Sequence, residues 1–411
     1  MATENNNKTL NVPNLRFPEF SGEWTKTTLG KIGETFNGLT GKSGSDFGQG
    51  SPYITYKSIF DNSKIDLSRV EYVTITDAER KKQTQNEVQY GDIFFTTSSE
   101  TPDEVGMTSV LLDEVKDCYL NSFCFGYRLN SITDVLPEYM RFYLRSNTIR
   151  RRLFVLAQGS TRFNISKGEV MGLTIKLPGT AEQRKIAQLL TMIEERIATQ
   201  IKIIEKLESL IRGLITDVNS GRIAQCKSVY LRDLLTEQHE KNTNNYEVCS
   251  VSVSQGVINQ IDYLGRSFAA KEVLHYNVVN CGDIVYTKSP TGEFPYGIVK
   301  RSDITKPVAV SPLYGVYRPI NDYVGKYLHL YFKSPINAKN YLHKLIQKGA
   351  KNTINITNQH FLDNKILIPE KGWLENIVNF AAAIEMKIAT ENKVLQTLQQ
   401  QKDYLLSKMF I

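Results

Sequence analysis

The feature that most constrains the fold of this 411-residue chain is an internal repeat with a period of 191 residues. The segment "YGDIFF", which contains Gly91, returns as "CGDIVY", which contains Gly282. "FNIS" returns as "INIT", "IKLP" as "ILIP", and "IAT" at 197–199 as "IAT" at 388–390, all at the same offset. Single short matches occur by chance, but an ordered series at one offset predicts a duplicated fold.

Each repeat ends in a long apolar segment with helical periodicity. In both segments the apolar residues step by threes and fours, averaging about 3.5 residues, as in a coiled-coil seam. The first seam contains Ile186, Leu190, Ile193, Ile197, Ile201, Ile204, Leu207, Ile211, Leu214 and Val218. The second contains Ile377, Ala381, Ile384, Ile388, Leu395, Leu398, Leu405 and Met409, with polar interruptions near Glu391 and Gln401. Each predicted helix is about 55 to 60 Å long at 1.5 Å per residue.

The connection between the repeats predicts how the two helices run. After Val218 only a short linker, "NSGRIAQCKS", precedes the second globular region, which must therefore lie near the far end of the first helix. The second helix then has to run back, so we expect an antiparallel pair related by a pseudo-two-fold axis. In the alternative arrangement, each amphipathic helix packs only on its own globule.

These patterns predict an α+β fold: two similar, duplicated mixed α/β domains separated by a pair of long antiparallel coiled-coil helices. Strand-rich segments such as "GDIFFTT" and "FCFGYRL" alternate with loops of Gly, Ser and Asn, and each half carries one cation-rich helical stretch. The expected bounds are 1–180 for the first domain, 181–218 for the first helix, 219–371 for the second domain and 372–411 for the second helix.

Positive charge is concentrated at matching places in the two halves. The chain has a formal charge of +7 and a pI near 8.9. Residues 139–168 contain seven cations and no acid: Arg141, Arg145, Arg150, Arg151, Arg152, Arg162 and Lys167. Residues 323–362 contain Lys326, Lys333, Lys339, Lys344, Lys348 and Lys351, again without an acid. One such run usually marks a solvated face, but its recurrence indicates contact with phosphates.

Two matched basic domains on a fixed spacer suit two separated segments of one DNA duplex, with cations on phosphates and polar loops on base edges. The loops after the two GDI segments end in Gly106 and Gly297, again 191 residues apart. In the first half the candidate DNA-binding residues are Lys42, Ser43, Gln49, Thr97, Ser98, Arg150, Arg151, Arg152, Gln158, Ser160, Thr161, Arg162 and Asn164. In the second half they are Ser254, Gln255, Lys288, Ser289, Thr291, Lys348, Lys351, Asn352 and Asn355.

The sequence carries no motif for catalysis or metal binding. A P-loop around "GLTGKSGS" would need glycine where Phe36 stands, and H-E-x-x-H and methyltransferase tetrapeptides of the Asn-Pro-Pro-aromatic type are missing. All five histidines lie in the second half, and the five cysteines form no CxxC pair. A function shared by both halves is therefore binding, with no metal or catalytic residue expected.

Composition indicates a soluble protein of the cytoplasm. With 41% hydrophobic and 23% charged residues the chain is typical of globular proteins. No apolar run reaches the roughly 20 residues that span a bilayer, and "MATENNNKTLNVPNL" lacks the pattern of a signal peptide. We therefore expect no contact with a membrane.

Several segments together resemble the specificity subunits of type I restriction-modification enzymes: "LRFPEFSGEWTKTTLGKIG", the two GDI segments, "GSTRFNIS" and "LPGTAEQRKIAQLL". The resemblance implies two target-recognition domains, each reading one half of a bipartite asymmetric DNA site, and helices that set the spacing. It further implies two methyltransferase subunits and restriction subunits as partners, which would hold AdoMet and ATP, so that this chain needs no cofactor.

The same resemblance implies partner contacts at the start of the first helix, by Glu182, Gln183 and Ile186. The second copy has Trp373 and Leu374 in place of the Glu-Gln pair, so equivalent docking at both helices is not implied.

Two other classes of function remain open from the residues alone. One is a stand-alone DNA methyltransferase or nuclease, which would transfer label from AdoMet to DNA without a partner. The other is a protein-only assembly scaffold, which would show no salt-dependent binding to duplex DNA.

Overall fold

The computed structural model describes residues 11–265, 272–348 and 354–411. Contacts within the chain divide it into two compact units. Unit 1 contains the chain up to Gln200 together with Val394–Ile411, and unit 2 contains Ile201–Lys393. Both long helices cross this boundary, so each unit holds part of both.

Unit 1 is built around a four-stranded antiparallel sheet in the order β2-β9-β5-β7. Its strands are β1 (Thr25–Thr28), β2 (Gly33–Asn37), β3 (Phe47–Ile54), β4 (Glu71–Val73), β5 (Ile93–Thr96), β6 (Ser98–Ser99), β7 (Thr108–Val110), β8 (Tyr119–Leu120), β9 (Cys124–Leu129), β10 (Phe163–Asn164) and β11 (Thr174–Leu177). Its helices are α1 (Leu29–Ile32), α2 (Tyr56–Asp61), α3 (Asp77–Gln83), α4 (Pro137–Tyr143), α5 (Asn147–Leu156), α6 (Lys167–Met171) and the first part of α7 (Thr180–Asn219). A second sheet has the order β4-β3-β8, and β1-β11 and β6-β10 form pairs.

Unit 2 repeats this sheet in the order β13-β20-β17-β18. Its strands are β12 (Cys226–Tyr230), β13 (Leu235–Glu237), β14 (Cys249–Ser252), β15 (Gly256–Asn259), β16 (Asn277–Val279), β17 (Ile284–Tyr286), β18 (Val299–Arg301), β19 (Val308–Val310), β20 (Gly315–Pro319), β21 (Gln347–Lys348), β22 (Ile354–Asn355) and β23 (Lys365–Pro369). Its helices are α8 (Gln260–Leu264), α9 (Asp322–Phe332), α10 (Pro335–His343), α11 (Asn358–Phe361) and α12 (Lys371–Lys408), which ends in unit 1. The fold class, α+β with two similar mixed units and two long helices, is confirmed.

The strand at each GDI segment, β5 or β17, is buried at every position because each face of the sheet covers a different core. In unit 1, Ile93 and Phe95 enter the main core while Phe94 enters a second, smaller one. In unit 2, Ile284 belongs to the main core and Val285 to the smaller one. Alternating residues of a strand point to opposite faces, so two-sided burial removes the usual alternation of polar and apolar residues.

The helix segments within each unit are antiparallel neighbours. In unit 1 the Glu194 carboxylate of α7 accepts a 2.7 Å hydrogen bond from Lys402 of α12, and Leu405 and Met409 pack in the same core as Leu190. In unit 2 the last turns of α7 share a core with the first turns of α12, through residues that include Ile211, Ile215, Val218, Ile377, Ala381 and Ile384. The alternative in which each helix packs only on its own globule is therefore wrong.

The cation-rich helical stretch of each half is two short helices rather than one. Ser146 caps α5 through its side-chain oxygen, which accepts from the backbone of Ile149, and Ser334 caps α10 in the same way. A serine at this position satisfies the free N–H groups of a new helix and turns the chain. The turn gives the arginines of α4 and α5 different surroundings.

Candidate nucleic-acid interface

The two GDI turns place a buried aspartate at equivalent points in both units. Gly91 and Gly282 have φ angles of 86° and 90°, which favour glycine over residues with a side chain. The following Asp92 is fully buried and accepts hydrogen bonds of 2.8 and 2.6 Å from Arg128. Asp283 accepts longer bonds of 3.2 and 3.4 Å from Arg318. The repeat in the sequence is thus a repeat in geometry.

In unit 1 the structure brings two of the predicted loops together. Ser98 of β6 pairs with Asn164 of β10, and Ile165 donates its N–H to the carbonyl of Thr97 at 3.0 Å. Gln158 and Asn164 exchange two backbone hydrogen bonds of 2.9 and 2.8 Å. The intervening loop presents exposed side chains from Ser160, Thr161 and Arg162. Residues 97–98 and 158–164 therefore form one continuous surface.

Several of the predicted phosphate-binding arginines are instead used inside unit 1. The Arg150 guanidinium donates to the carbonyls of Asp103, Val105 and Gly106 at 2.6, 2.7 and 2.8 Å, so it holds the GDI loop, residues 97–106. Burial lowers the pKa of Arg150. The assignment of Arg150 as a phosphate contact is corrected to a structural role, because three of its five N–H donors bind carbonyls of this loop.

Other arginines of the same run divide between structure and surface. Arg152 is half-buried and donates to the Thr174 carbonyl at 2.5 Å, which gives it a structural bond, whereas Arg151 and Arg162 are exposed. Arg141 pairs with Glu194 of α7. The sequence could not separate these roles, because all have the same residue type in one short run.

The first polar loop of unit 1 is held by its own charges. The Lys42 ammonium lies 2.7 Å from Glu79, and this hydrogen bond holds the pKa of Glu79 at about 2. Only 7% of the Lys42 side chain is exposed, so its role as a DNA contact is corrected to that of a loop anchor. Ser43 and Gln49, which follow Lys42 in the chain, are exposed and stay candidates.

In unit 2 the candidate residues lie on three loops. Ser254 and Gln255 form the exposed turn between β14 and β15. Lys288, Ser289 and Thr291 are exposed on the second GDI loop, residues 288–297, where Thr291 and Phe294 exchange backbone hydrogen bonds. The backbones at Lys348 and Asn355 lie in the paired strands β21 and β22. Lys351 and Asn352 lie outside the described residues.

The Glu-Gln pair at the start of α7 attaches the helix to its own unit. Arg16 makes two 2.8 Å hydrogen bonds to Glu182, while Gln183 accepts from the Leu136 N–H and donates to the carbonyls of Asp134 and Pro178. Glu182, Gln183 and Ile186 are only 3%, 1% and 1% exposed. The prediction that these three residues contact a partner is corrected, because they have no free surface.

One exposed aromatic residue at this surface escaped the sequence analysis. Phe123 is 66% exposed, and its carbonyl accepts bonds from the backbone and side chain of Thr97. It therefore borders the loop surface of unit 1, where an aromatic ring could contact bases or sugars. A lone phenylalanine at the start of an apolar strand gives no signal of exposure.

Among residues 11–265, 272–348 and 354–411, no cluster of His, Cys, Asp and Glu is arranged to hold a metal ion. Across the same described part of the chain, no helix combines the length and apolar character needed to span a bilayer.

Comparison with known proteins agrees with this geometry. Residues 21–209 match the model of the type I restriction modification DNA specificity domain. A putative type I restriction enzyme MjaX specificity subunit from Methanocaldococcus jannaschii is 26% identical over 224 residues, 54% of this chain and 51% of the relative. The match thus spans about half the length of that curated relative.

Solved structures share the fold. The S subunit of a type I restriction-modification system from M. genitalium has a TM-score of 0.55 at 13% identity, covering 97% of this chain and 99% of that one. A chain from a study of complex assembly and conformational transition of the type I R-M system has a TM-score of 0.54 at 14% identity, covering 93% and 96%. The chain thus resembles DNA-binding components of restriction-modification systems. Within that class, residues 21–209 are similar to the DNA specificity domain of type I enzymes, and the chain shares the fold of a solved S subunit.

Proposed function

We propose that each unit reads one half of a bipartite asymmetric DNA site and that the long helices fix the distance between the halves. The observation that carries this proposal is the pair of GDI loops. Both follow the same turn and the same Asp–Arg pair, and both end in a glycine, yet their exposed side chains differ. One fold with two sets of loop residues is what two sequence preferences require.

Base reading is assigned to the exposed polar residues and positioning to the exposed cations. In unit 1 these are Gln158 for bases, with Arg151 and Arg162 for phosphates, and the half-buried Ser98 is a second candidate for bases. A lost bidentate base contact should cost about 1–3 kcal/mol at one base pair only. A lost phosphate contact should weaken binding to all sequences alike and reduce the salt dependence.

Catalysis, AdoMet and ATP are assigned to the partner subunits, two methyltransferase subunits and the restriction subunits, in the cytoplasm. Because Glu182, Gln183 and Ile186 are buried, we place methyltransferase docking on the open face of α7 in unit 1. There a groove of about 780 Å³ is lined by residues that include Met192 and Ile132, which are 54% and 44% exposed. Replacing Met192 by Glu should weaken assembly without unfolding unit 1.

The spacer model is tested by lengthening both helices by one heptad. Seven residues are inserted between Gln200 and Ile201 in α7 and seven between Lys393 and Val394 in α12, so that the seam stays in register. At 1.5 Å per residue this adds about 10.5 Å, or roughly three base pairs at 3.4 Å each. Methylation mapping in cells that supply the partner subunits should show the same two half-sites with a gap about three base pairs longer.

The control carries the heptad in α7 alone, which misaligns the seam and should abolish methylation of both the old and the lengthened site. Methylation of the original site by the double-insertion protein would refute the role of the helices in spacing. It would leave the recognition of half-sites by the two units untouched.

A further inference from the structure

Unit 2 contains a cavity of about 680 Å³ bounded by its sheet, its GDI loop and both long helices. Lys300, the middle residue of the edge strand β18, lines this cavity although only 4% of the residue is exposed. Cavities of this size hold small organic molecules. No role in DNA recognition has been assigned to Lys300.

The Lys300 ammonium has no hydrogen-bond or ion-pair partner among the residues that the structure describes. Burial, with a smaller contribution from the charge of Lys333, lowers the pKa of Lys300 to about 8. An unpaired charge in the interior costs several kcal/mol, and proteins normally pair or neutralise it. A lysine that lines a cavity without a partner among the described residues can pair there with an anion.

In unit 1 the strand position that corresponds to Lys300 is Ser109, and the cation beside this strand comes from another segment. There Arg145 lies against the edge strand β7, which corresponds to β18, and donates to the Thr108 carbonyl of that strand at 2.6 Å. The same guanidinium donates to the carbonyls of Ile59 and Asn62 at 2.7 and 2.8 Å. The cation beside this strand in unit 1 is thus satisfied by internal acceptors, whereas Lys300 has no acceptor among the described residues of unit 2.

The other charges at the cavity are already paired or lie outside. Lys333 is 3.0 Å from Glu385, and Arg212 is 3.7 Å from Glu208. Glu293 lies exposed on the GDI loop at the rim. Apolar side chains form much of the remaining wall: Ile211, Ile215, Phe294, Leu330 and Ile388. The cavity thus offers one unneutralised ammonium beside an apolar surface.

We propose that this cavity is a binding site for a small organic anion, whose carboxylate or phosphate pairs with Lys300 and whose apolar body packs on the wall. The proposal goes beyond the assigned function and does not depend on it. It explains why a cation is buried here without a partner among the described residues.

The test is calorimetric titration of the full-length protein with 1-naphthyl phosphate and with benzoate, which carry the two candidate oxyanions on apolar rings. We expect saturable one-site binding of at least one of them. Lys300→Met should weaken it at least tenfold, whereas the matched control Lys227→Met, at an exposed lysine of unit 2, should leave it unchanged. Inorganic phosphate carries only the anionic group of 1-naphthyl phosphate, and 1-naphthol carries only its apolar ring. Each should bind at least tenfold more weakly than 1-naphthyl phosphate.

A second variant distinguishes loss of the binding site from loss of folding in Lys300→Met. Ala389→Trp places a large side chain at an exposed helical position on the cavity wall and should block binding while Lys300 remains. Without ligand, Lys300→Met should raise the melting temperature of unit 2, because it removes an unpaired buried charge. Equal binding by wild type and Lys300→Met, or no binding of either anion by the wild type, would overturn the proposal.

Discussion

Loss of Arg128 should destabilise unit 1 strongly, because it leaves Asp92 buried without its counter-ion. The Asp92 carboxylate is fully buried and accepts two hydrogen bonds from Arg128, at 2.8 and 2.6 Å. Removing one partner of a buried pair costs about 3–5 kcal/mol, whereas removing both costs less. We therefore expect Arg128→Met to lower the free energy of unfolding by about 3–5 kcal/mol at pH 7.

Unit 2 supplies a matched comparison. Arg318 makes the corresponding bonds to Asp283 at 3.2 and 3.4 Å, and its side chain is 50% exposed compared with 31% for Arg128. Weaker bonds and readier access of water should reduce the cost of Arg318→Met to about 1.5–3 kcal/mol.

The positions of the two tryptophans allow the unfolding of unit 1 to be followed separately. Trp24 is buried in unit 1, whereas Trp373 lies in unit 2 and is 48% exposed. In a Trp373→Phe background, urea unfolding followed by tryptophan fluorescence therefore reports unit 1 only. The stability of unit 2 is measured by hydrogen exchange of the backbone amides in β17 and β20.

The effect of Arg128→Met should also depend on pH. Burial raises the pKa of Asp92 even in the presence of Arg128, and loss of the arginine raises it further. A carboxyl with a raised pKa in the folded state loses stability as pH rises from its ordinary value, near 3.9, to the folded value. The cost of the variant should therefore shrink toward pH 4, and Asp92→Asn should remove this dependence. A cost below 1 kcal/mol at pH 7, or one independent of pH, would refute the reasoning.

Three further predictions follow from equivalent or neighbouring positions. Gly297→Ala should lower the stability of the protein more than Gly106→Ala does. An added Cβ would lie 1.8 Å from the Thr287 carbonyl oxygen at position 297 but 3.6 Å from its nearest neighbour at position 106. Thermal unfolding of both variants tests this. Gln183→Leu should destabilise unit 1 by about 2–4 kcal/mol in the Trp24 assay, since it strands buried backbone groups, and a cost within 0.5 kcal/mol would contradict it. Arg151→Gln should leave unfolding unchanged yet reduce the slope of DNA affinity against salt by about one, and an unchanged slope would remove this arginine from the interface.

The sequence predicted the fold well because the fold depends on patterns that extend over many residues. The 191-residue offset and the coiled-coil seam depend on many residues at once, and the structure has the long helices at Thr180–Asn219 and Lys371–Lys408. The GDI turns were found as a motif, and their glycines and aspartates have equivalent geometry.

The site was predicted less well because side-chain roles depend on neighbours distant in the chain. Arg150 and Arg151 are adjacent and identical in type, yet one holds a loop through three carbonyls while the other is exposed. Gln183 resembles a surface residue at a helix start, but a fold that brings residues 134–136 against it buries its amide. No periodicity in the sequence reports such contacts.

The central claim is that the two units read separate halves of one DNA site. The most direct measurement is methylation mapping of a genome in cells that express the partner subunits with this chain, before and after Lys288, Ser289 and Thr291 on the GDI loop of unit 2 are replaced together by Ala. The account predicts that the methylated sequence changes or relaxes in one half-site, while the other half-site and the gap are retained. Changes in both halves, or an unchanged site, would contradict it.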